Sequence, residues 1–298
     1  MDGKTTDKAP NKVLYGVTAY KSWFFIGDYM LALGAGITNR QPDLEGDIHT
    51  TIDQTALEGK IWMTRGKKRQ ELSGTAEIPA AKKGVPVWIS QEGKFSYCLW
   101  PEYQQQATVN LESRKTDWIR MNRSNKAQLA KLPQKVSIFR MSINHGQRPV
   151  DNKYAYVVWL GGDNIPKAAR KKLPFEILRN DKKIQAVQTS DGKILQAVFY
   201  PEDCKVLDYH TFYGGEGKLA TNAPATIPTA TLETGKTRIR VSAPCVLMLD
   251  RAHRMLYVTD ATMNAALQKI SVWIDGQEYQ VPMPQGKRLG ACASIALQ

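Results

Sequence analysis

A long hairpin pattern near the start of the chain constrains the fold more than any other feature. Two apolar, aromatic-rich segments, residues 21–26 and 29–37, flank Gly27 and Asp28. A glycine–aspartate pair between two such segments is typical of a tight turn between antiparallel strands. Gly34 and Gly36 predict a second tight turn, which would end the second strand. A buried β-hairpin is therefore expected here.

Strand signals of the same kind recur along the rest of the chain. Alternating apolar residues bounded by turn sequences occur at residues 85–89, 95–99, 136–143, 153–160, 183–188, 195–200, 238–242, 245–249, 255–258, 270–274 and 278–281. Many short strands separated by regular turns are typical of β-sandwiches. Helical patterns are sparse, at residues 124–132 and 165–172. The sequence therefore predicts an all-β, antiparallel fold.

A domain boundary is predicted around residues 161–174. There a strand ends, a connection rich in Gly, Pro and Lys follows, and a new series of strands begins. We therefore expect two domains, residues 1–172 and residues 173–298. A further stretch, residues 213–228, is rich in Gly, Thr and Pro and predicts a long surface loop.

The charge of the chain favours a polyanionic partner. Its 298 residues include 41 Lys and Arg against 28 Asp and Glu, a net charge of +13. The basic runs are short, however, and a solvated turn is the ordinary role of such a run. They lie at residues 65–69, 82–83, 170–172 and 182–183.

Several classes of partner are not supported by any motif. No DNA- or RNA-binding motif is present, so nucleic acid is not predicted. No run of about 18 apolar residues is present, so no membrane span is predicted. The polar start of the chain has no apolar core of a signal peptide.

Cysteine and histidine spacing predicts neither a metal site nor a redox motif. The cysteines are far apart, and Cys98 and Cys245 lie inside apolar strand patterns, which favours small buried side chains. No pair of histidines has the spacing of a metal site. The residues concerned are Cys98, Cys204, Cys245, Cys292, His49, His145, His210 and His253.

Several blocks of sequence, in order, resemble polysaccharide lyase family 8, the lyases for chondroitin, hyaluronan and xanthan. Residues 21–25, 33–37, 49–54, 143–149 and 154–158 resemble the central sandwich of that family. Residues 177–180, 184–187 and 243–248 resemble its C-terminal sandwich. Residues 159–162, Trp-Leu-Gly-Gly, depart from the Leu-Pro-Gly turn that is common there.

The resemblance implies a parent enzyme in three parts. An N-terminal α/α toroid would hold the catalytic groups, followed by a large super-sandwich and a smaller C-terminal sandwich. Residues 1–172 would be the later part of the super-sandwich. The family's catalytic Asn, His, Tyr and Arg lie on the toroid, so no catalytic residue is transferred to this chain.

The expected function follows from that resemblance. The parent enzyme would be extracellular or periplasmic and would cleave acidic glycosaminoglycan-type polysaccharides by β-elimination. This chain alone is expected to be inactive and to need the toroid from a partner. The resemblance leaves calcium open for the parent enzyme, but no calcium site or other cofactor site stands out. The alternative is a stand-alone carbohydrate-binding or scaffold module for anionic polysaccharide.

Five residues are candidates for contact with substrate. Asn144, His145 and Arg148 are predicted to form a polar loop beside a cleft, where Arg148 would pair with a carboxylate or sulfate. His145 also has an ordinary structural explanation, since it precedes Gly146 in a turn. The other two candidates are Trp100 and Trp118, whose polar neighbours favour exposure. Core packing is expected instead for the tryptophans within apolar strands, Trp23 and Trp159.

Overall fold

A computed structural model describes residues 16–40, 45–81, 84–103, 105–116, 118, 128, 131–133, 135–201, 230–235 and 237–298. In these residues, 21 strands form four antiparallel sheets, which confirms the all-β prediction. The predicted loop at 213–228, Cys204 and His210 lie outside the described residues. So does most of the predicted helix at 124–132.

The first eleven strands form two sheets that face each other. A seven-stranded sheet has the order β1-β2-β11-β8-β7-β4-β5, and a four-stranded sheet has the order β3-β10-β9-β6. Buried side chains of both sheets, such as Tyr97, Val109 and Phe139, meet in one core. The strands are β1 (Val17–Ile26), β2 (Tyr29–Asn39), β3 (His49–Ala56), β4 (Ile61–Arg65), β5 (Lys68–Leu72), β6 (Thr75–Ile78), β7 (Val87–Gln91), β8 (Ser96–Leu99), β9 (Gln106–Lys115), β10 (Lys135–Asn144) and β11 (Asn152–Trp159).

The opening hairpin forms as predicted at its turn but not at its end. Ile26 pairs with Tyr29 across Gly27 and Asp28. The expected turn at Gly34 is wrong, because β2 continues to Asn39. Gly34 serves a different purpose: a Cβ there would lie 2.0 Å from Cε1 of Tyr154, so the glycine makes room for that ring.

The remaining strands form a second pair of sheets. A six-stranded sheet has the order β12-β13-β14-β17-β18-β21, and a four-stranded sheet has the order β15-β16-β19-β20. Their facing side chains, among them Phe199, Leu247 and Ile270, form a separate core. The strands are β12 (Phe175–Asn180), β13 (Ile184–Thr189), β14 (Ile194–Phe199), β15 (Leu232–Glu233), β16 (Arg238–Val241), β17 (Cys245–Asp250), β18 (Met255–Thr259), β19 (Lys269–Ile274), β20 (Gln277–Pro282) and β21 (Ala293–Ala296).

The connection between β11 and β12 is a series of turns rather than the expected helix at 165–172. Only single helical-type bonds form, such as Arg170 N to Pro166 O at 3.2 Å. Pro174 disfavours helical geometry in the residue before it, which limits the length of the segment. The predicted domain boundary at 172/173 lies in this connection and stays a prediction.

Two extended contacts join the first pair of sheets to the second, alongside single bonds such as that from Gln196 Nε2 to Phe25 O at 3.1 Å. An apolar cluster places Leu31, Leu33 and Trp88 of the seven-stranded sheet against Phe175 and Val187. The middle of the seven-stranded sheet is therefore buried on both faces, which explains why β2 is apolar along most of its length. Cys98 lies in this cluster and Cys245 in the second core, so both predicted buried thiols are confirmed.

A buried polar network forms the second contact. The side-chain amide of Asn180 donates to the carbonyl of Gly34 at 3.2 Å and to that of Tyr154 at 3.1 Å. Gln185 donates to the Asn180 side-chain oxygen at 3.0 Å. The Tyr200 hydroxyl lies 2.7 Å from that of Ser22 on β1. Because buried polar groups are costly without partners, this network fixes β1, β2 and β11 against the second pair of sheets.

Candidate functional site

The loop after β10 is built around Asn144. Its side-chain amide donates to Asp47 Oδ2 at 2.7 Å, and its side-chain oxygen accepts from the Gly146 backbone at 2.7 Å. Gly146 has a φ of +77°, a conformation that glycine adopts readily. Both polar ends of Asn144 are therefore engaged in shaping the loop.

His145 lies inside this loop with its ring partly buried. Nε2 is 2.8 Å from Thr50 Oγ1, and the ring centroid is 6.1 Å from that of Tyr154. Burial, together with the charges of His49 and Lys21, lowers the pKa of His145 to about 4. The imidazole is therefore neutral near pH 7 and acts as a hydrogen-bonding group rather than a cation.

Arg148 is exposed in the same loop. The residues on either side of it are tied to the end of β2, since Asn39 donates to Gln147 O at 3.0 Å and to Pro149 O at 2.9 Å. The structure thus brings Asn144, His145 and Arg148 into one ordered loop. Their contact with substrate stays a prediction.

The two tryptophan candidates differ. The expected exposure of Trp100 is wrong: its side chain is 6% exposed, packed in the cluster with Trp88. It follows β8 at the end of a buried strand, so its polar sequence neighbours were misleading. Trp118 is partly buried and donates from Nε1 to Pro133 O at 2.8 Å. Its role in binding stays a prediction.

The expected core position of Trp23 is also wrong. Trp23 is 53% exposed and Phe25 is 61% exposed. Both lie on β1, the edge strand of the seven-stranded sheet, where the face is left uncovered. Trp159, in contrast, is partly buried against the cluster with Trp88, as expected for a core tryptophan. An apolar strand pattern does not tell an edge strand from a central one, which is why sequence alone missed Trp23.

Trp23 is held by a row of residues that crosses three strands. Trp23 pairs with Ala32, and Ala32 pairs with Tyr156. The small side chain of Ala32 lies between Trp23 and Tyr156 in this row, and Trp23 is near enough to the Tyr156 phenol to influence its pKa. A parallel row runs from Lys21 over Gly34 to Tyr154.

These two rows, together with Phe25 on the same face of β1, form what we call the aromatic shelf, which consists of Lys21, Trp23, Phe25, Tyr154 and Tyr156. Lys21, Trp23 and Phe25 are its exposed members, and Tyr154 and Tyr156 are buried. The shelf adjoins the loop after β10, because His145 packs beside Tyr154. An exposed indole beside amide, imidazole and cationic groups suits a ligand with both flat apolar faces and polar or anionic substituents.

The phenols of the shelf are poor proton carriers. Burial raises the pKa of Tyr156 and of Tyr154 above the usual range, which leaves both neutral near pH 7. Within the described residues, no cluster of three or more His, Cys, Asp or Glu side chains is arranged to hold a metal ion. In the part of the chain that the structure describes, no helix is long and apolar enough to cross a membrane.

The fold and the sequence place this chain in a known family. Residues 4–170 match the model of the super-sandwich domain of polysaccharide lyase family 8. The chain therefore belongs to that family, and its first two sheets correspond to the super-sandwich domain.

Two curated relatives are polysaccharide lyases. Chondroitinase-AC of Pedobacter heparinus is 31% identical over 199 residues, which cover 63% of this chain and 26% of that protein. Hyaluronate lyase HylB of Enterococcus faecalis is 31% identical over 190 residues, which cover 62% of this chain and 18% of that protein. The chain thus spans about a quarter or less of these relatives.

Solved structures share the fold over nearly the whole chain. A chondroitinase AC lyase superposes with a TM-score of 0.70 at 21% identity, over 94% of this chain and 36% of that one. A xanthan lyase of Paenibacillus superposes with a TM-score of 0.65 at 15% identity, over 95% of this chain and 26% of that one. At these identities the likeness concerns the fold alone.

Proposed function

We propose that this chain is the sandwich region of a lyase for acidic polysaccharides of the chondroitin or hyaluronan type, and that it binds the polymer without cleaving it. Residues 1–172 and 173–298 would be its two domains, and the parent enzyme would be extracellular or periplasmic. Family membership and the names of the relatives support the substrate class.

The exposed Trp23 is the observation on which this proposal chiefly rests. More than half of its side chain is exposed, although indoles are usually buried or at interfaces. Trp23 lies on a paired strand in one row with Ala32 and the buried Tyr156, so its exposed indole offers a flat face on which a sugar ring can pack. Lys21 is near His145, whose pKa its charge lowers, and Arg148 is exposed in the same loop as His145, so both cations are available for carboxylate or sulfate groups of the polymer.

The chemistry of the shelf and of the adjoining loop after β10 favours binding over cleavage. β-Elimination from a uronic acid needs a base for the C5 proton, an acid for the leaving oxygen and a donor that neutralises the carboxylate. His145 has its pKa lowered to about 4, which makes it a weak base. Burial raises the pKa of Tyr154 and Tyr156, which disfavours the phenolate that would act as a base.

A paired assay tests the two halves of the proposal. With chondroitin and hyaluronan, the 298-residue chain should give no ultraviolet absorbance from unsaturated uronate. Calorimetric titration with a short chondroitin oligosaccharide should detect binding that weakens on the order of tenfold in Trp23→Ala. Phe95→Ala is the matched control, because Phe95 is also exposed but lies on the β7–β8 turn.

The outcomes separate the alternatives. Robust release of unsaturated product would overturn the non-catalytic role, and unchanged binding by Trp23→Ala would overturn the shelf. Addition of a helical catalytic domain from a chondroitin lyase should produce cleavage by the mixture. A mixture that stays inactive while the chain still binds would favour a stand-alone binding module.

A further inference from the structure

Folding brings together two basic runs that are about 100 residues apart in the sequence. The first run, residues 65–69, forms the tip of the β4–β5 hairpin, and β5 is the outer edge of the seven-stranded sheet. The second run lies in the connection between β11 and β12. Arg69 Nη2 lies 3.4 Å from Asp163 Oδ2 of that connection.

The strand register shows how closely the connection crosses the hairpin. Trp88 pairs with Thr64, and Thr64 pairs with Arg69, so the three residues form one row across β7, β4 and β5. Neighbouring strands lie about 5 Å apart, so the row is about 10 Å long. Trp88 Nε1 donates to Ala169 O at 3.2 Å at one end, and Asp163 meets Arg69 at the other.

The cations of this region that lie at the hairpin tip and in the connection are exposed and largely unneutralised. We call them the basic surface, which consists of Lys67, Lys167, Lys171 and Lys172. Arg65 and Lys68 are left out because they share a row with Val87, which faces the first core, on the opposite side of the sheet from Arg69. In the described part of the chain, none of the four lysines forms an ion pair with a carboxylate. The two carboxylates at the hairpin are already engaged, Glu71 with Lys60 at 3.0 Å and Asp163 with Arg69.

Aromatic stacking contributes little to this surface. Trp88 is fully buried, and Trp62 is partly buried beneath two cations. Arg69 Cζ lies 4.4 Å from the Trp62 ring centroid, and Lys60 Nζ lies 5.6 Å from it. Single-stranded nucleic acids are usually bound by exposed aromatic faces together with cations, so the surface better fits a polymer held through its charges.

We propose that the basic surface is a second binding site for the acidic polysaccharide, separate from the aromatic shelf. The proposal rests on the proposed function for the choice of polymer. The shelf lies at β1 and the basic surface at β5, the two edges of one seven-stranded sheet. Six strand spacings separate those edges, about 30 Å. The two sites also lie on opposite faces of the sheet, since Tyr156 faces the first core and Trp88 faces the cluster toward the second pair of sheets, so a polymer that contacts both must span more than that distance.

That separation has a direct consequence for affinity. A long chain that contacts both sites binds the second one intramolecularly, at a high effective concentration. A short oligosaccharide reaches only the shelf. Long sulfated polymer should therefore bind more tightly than short oligosaccharide, and the difference should shrink as salt screens the basic surface.

A charge-matched comparison tests the proposal. One variant combines Lys67→Gln, Lys167→Gln and Lys171→Gln, and its control combines Lys135→Gln, Lys269→Gln and Lys287→Gln. All six lysines are exposed, and both variants lower the net charge equally. Affinities for long chondroitin sulfate, a short chondroitin oligosaccharide and duplex DNA are measured at several salt concentrations, with circular dichroism to verify folding.

The basic surface predicts a distinct pattern. The first variant should lose affinity for long chondroitin sulfate on the order of tenfold, with a weaker salt dependence, and the control should lose much less. Both should bind the short oligosaccharide normally. Equal losses in the two variants, or none, would overturn the proposal. DNA binding as tight as that of chondroitin sulfate would overturn the choice of polymer, and failure of the Trp23 test alone would affect only the shelf.

Discussion

The two pairs of sheets differ in how completely they cover their own faces. In the first pair, the edge of the seven-stranded sheet exposes Trp23 and Phe25. In the second pair, the exposed large hydrophobic side chains among the described residues are Val246 and Met263, which are not aromatic. A sheet face that stays open and aromatic offers a surface for a ligand, whereas a covered one mainly provides stability.

The difference assigns a role to each pair. The first contains the shelf, the loop after β10 and the basic hairpin. The second holds the strands beneath the shelf in place through Asn180, which bonds to the backbone of β2 and β11. The second pair is thus a support for the first, and changes at their contact should affect ligand binding as well as stability.

The largest effect is expected from Gly34→Ala. The new Cβ would lie 2.0 Å from the buried Tyr154 ring, so the ring must move, at a cost of about 2–4 kcal/mol of unfolding free energy. Gly235→Ala, in the second pair of sheets, meets nothing within 4 Å and should change stability by less than about 0.5 kcal/mol. Urea unfolding measures both.

A double-mutant cycle tests more strictly whether the clash with the Tyr154 ring causes the loss of stability in Gly34→Ala. In a Tyr154→Ala background, the cost of Gly34→Ala should largely vanish, because the ring that it strikes is absent. A penalty that persists undiminished would mean that backbone conformation, rather than the ring, requires the glycine.

A somewhat smaller effect is expected from Asn180→Leu. The change leaves the buried carbonyls of Gly34 and Tyr154 without this donor, at a cost of about 2–3 kcal/mol. Oligosaccharide binding should weaken as well, since the strands beneath Trp23 lose their support. Asn264→Ala is the control, because its bond to the Ala266 backbone is exposed. Loss of stability with full binding would contradict the supporting role.

The smallest effect concerns the pH dependence of stability. The pKa of His145 is about 4 in the folded protein, below its usual value of 6.5, so the unfolded chain binds more protons between those values. Unfolding free energy should therefore fall as the pH drops from about 6.5 to about 4. His145→Gln should reduce this fall by about 1–2 kcal/mol, a value discounted for the partial exposure of the ring. Identical pH profiles would contradict burial of a neutral imidazole.

The local sequence pattern predicts strands and turns well, but it does not predict which side chains pack against one another across strands. The turn at Gly27 and the burial of Cys98 and Cys245 follow from residue type and alternation, which act over a few residues. The exposure of Trp23, the burial of Trp100 and the space that Gly34 leaves for Tyr154 depend on which strands become neighbours. That is set by non-local pairing, which one sequence does not reveal.

The candidate site shows the same limit. Asn144, His145 and Arg148 are close in sequence, so their common loop was predictable. The shelf combines residues of β1 and β11, which pair with the two sides of β2, and the basic surface combines Lys67 with residues 167–172. Both depend on the order of strands in the seven-stranded sheet.

Fluorine NMR of the chain labelled with 5-fluorotryptophan tests the central claim most directly. Each of the seven tryptophans gives its own signal, and Trp23→Phe assigns that of Trp23. On titration with a short chondroitin oligosaccharide, the Trp23 signal should shift saturably while that of buried Trp88 stays fixed. A Trp23 signal that does not move while calorimetry detects binding would contradict the claim that the aromatic shelf binds the polysaccharide.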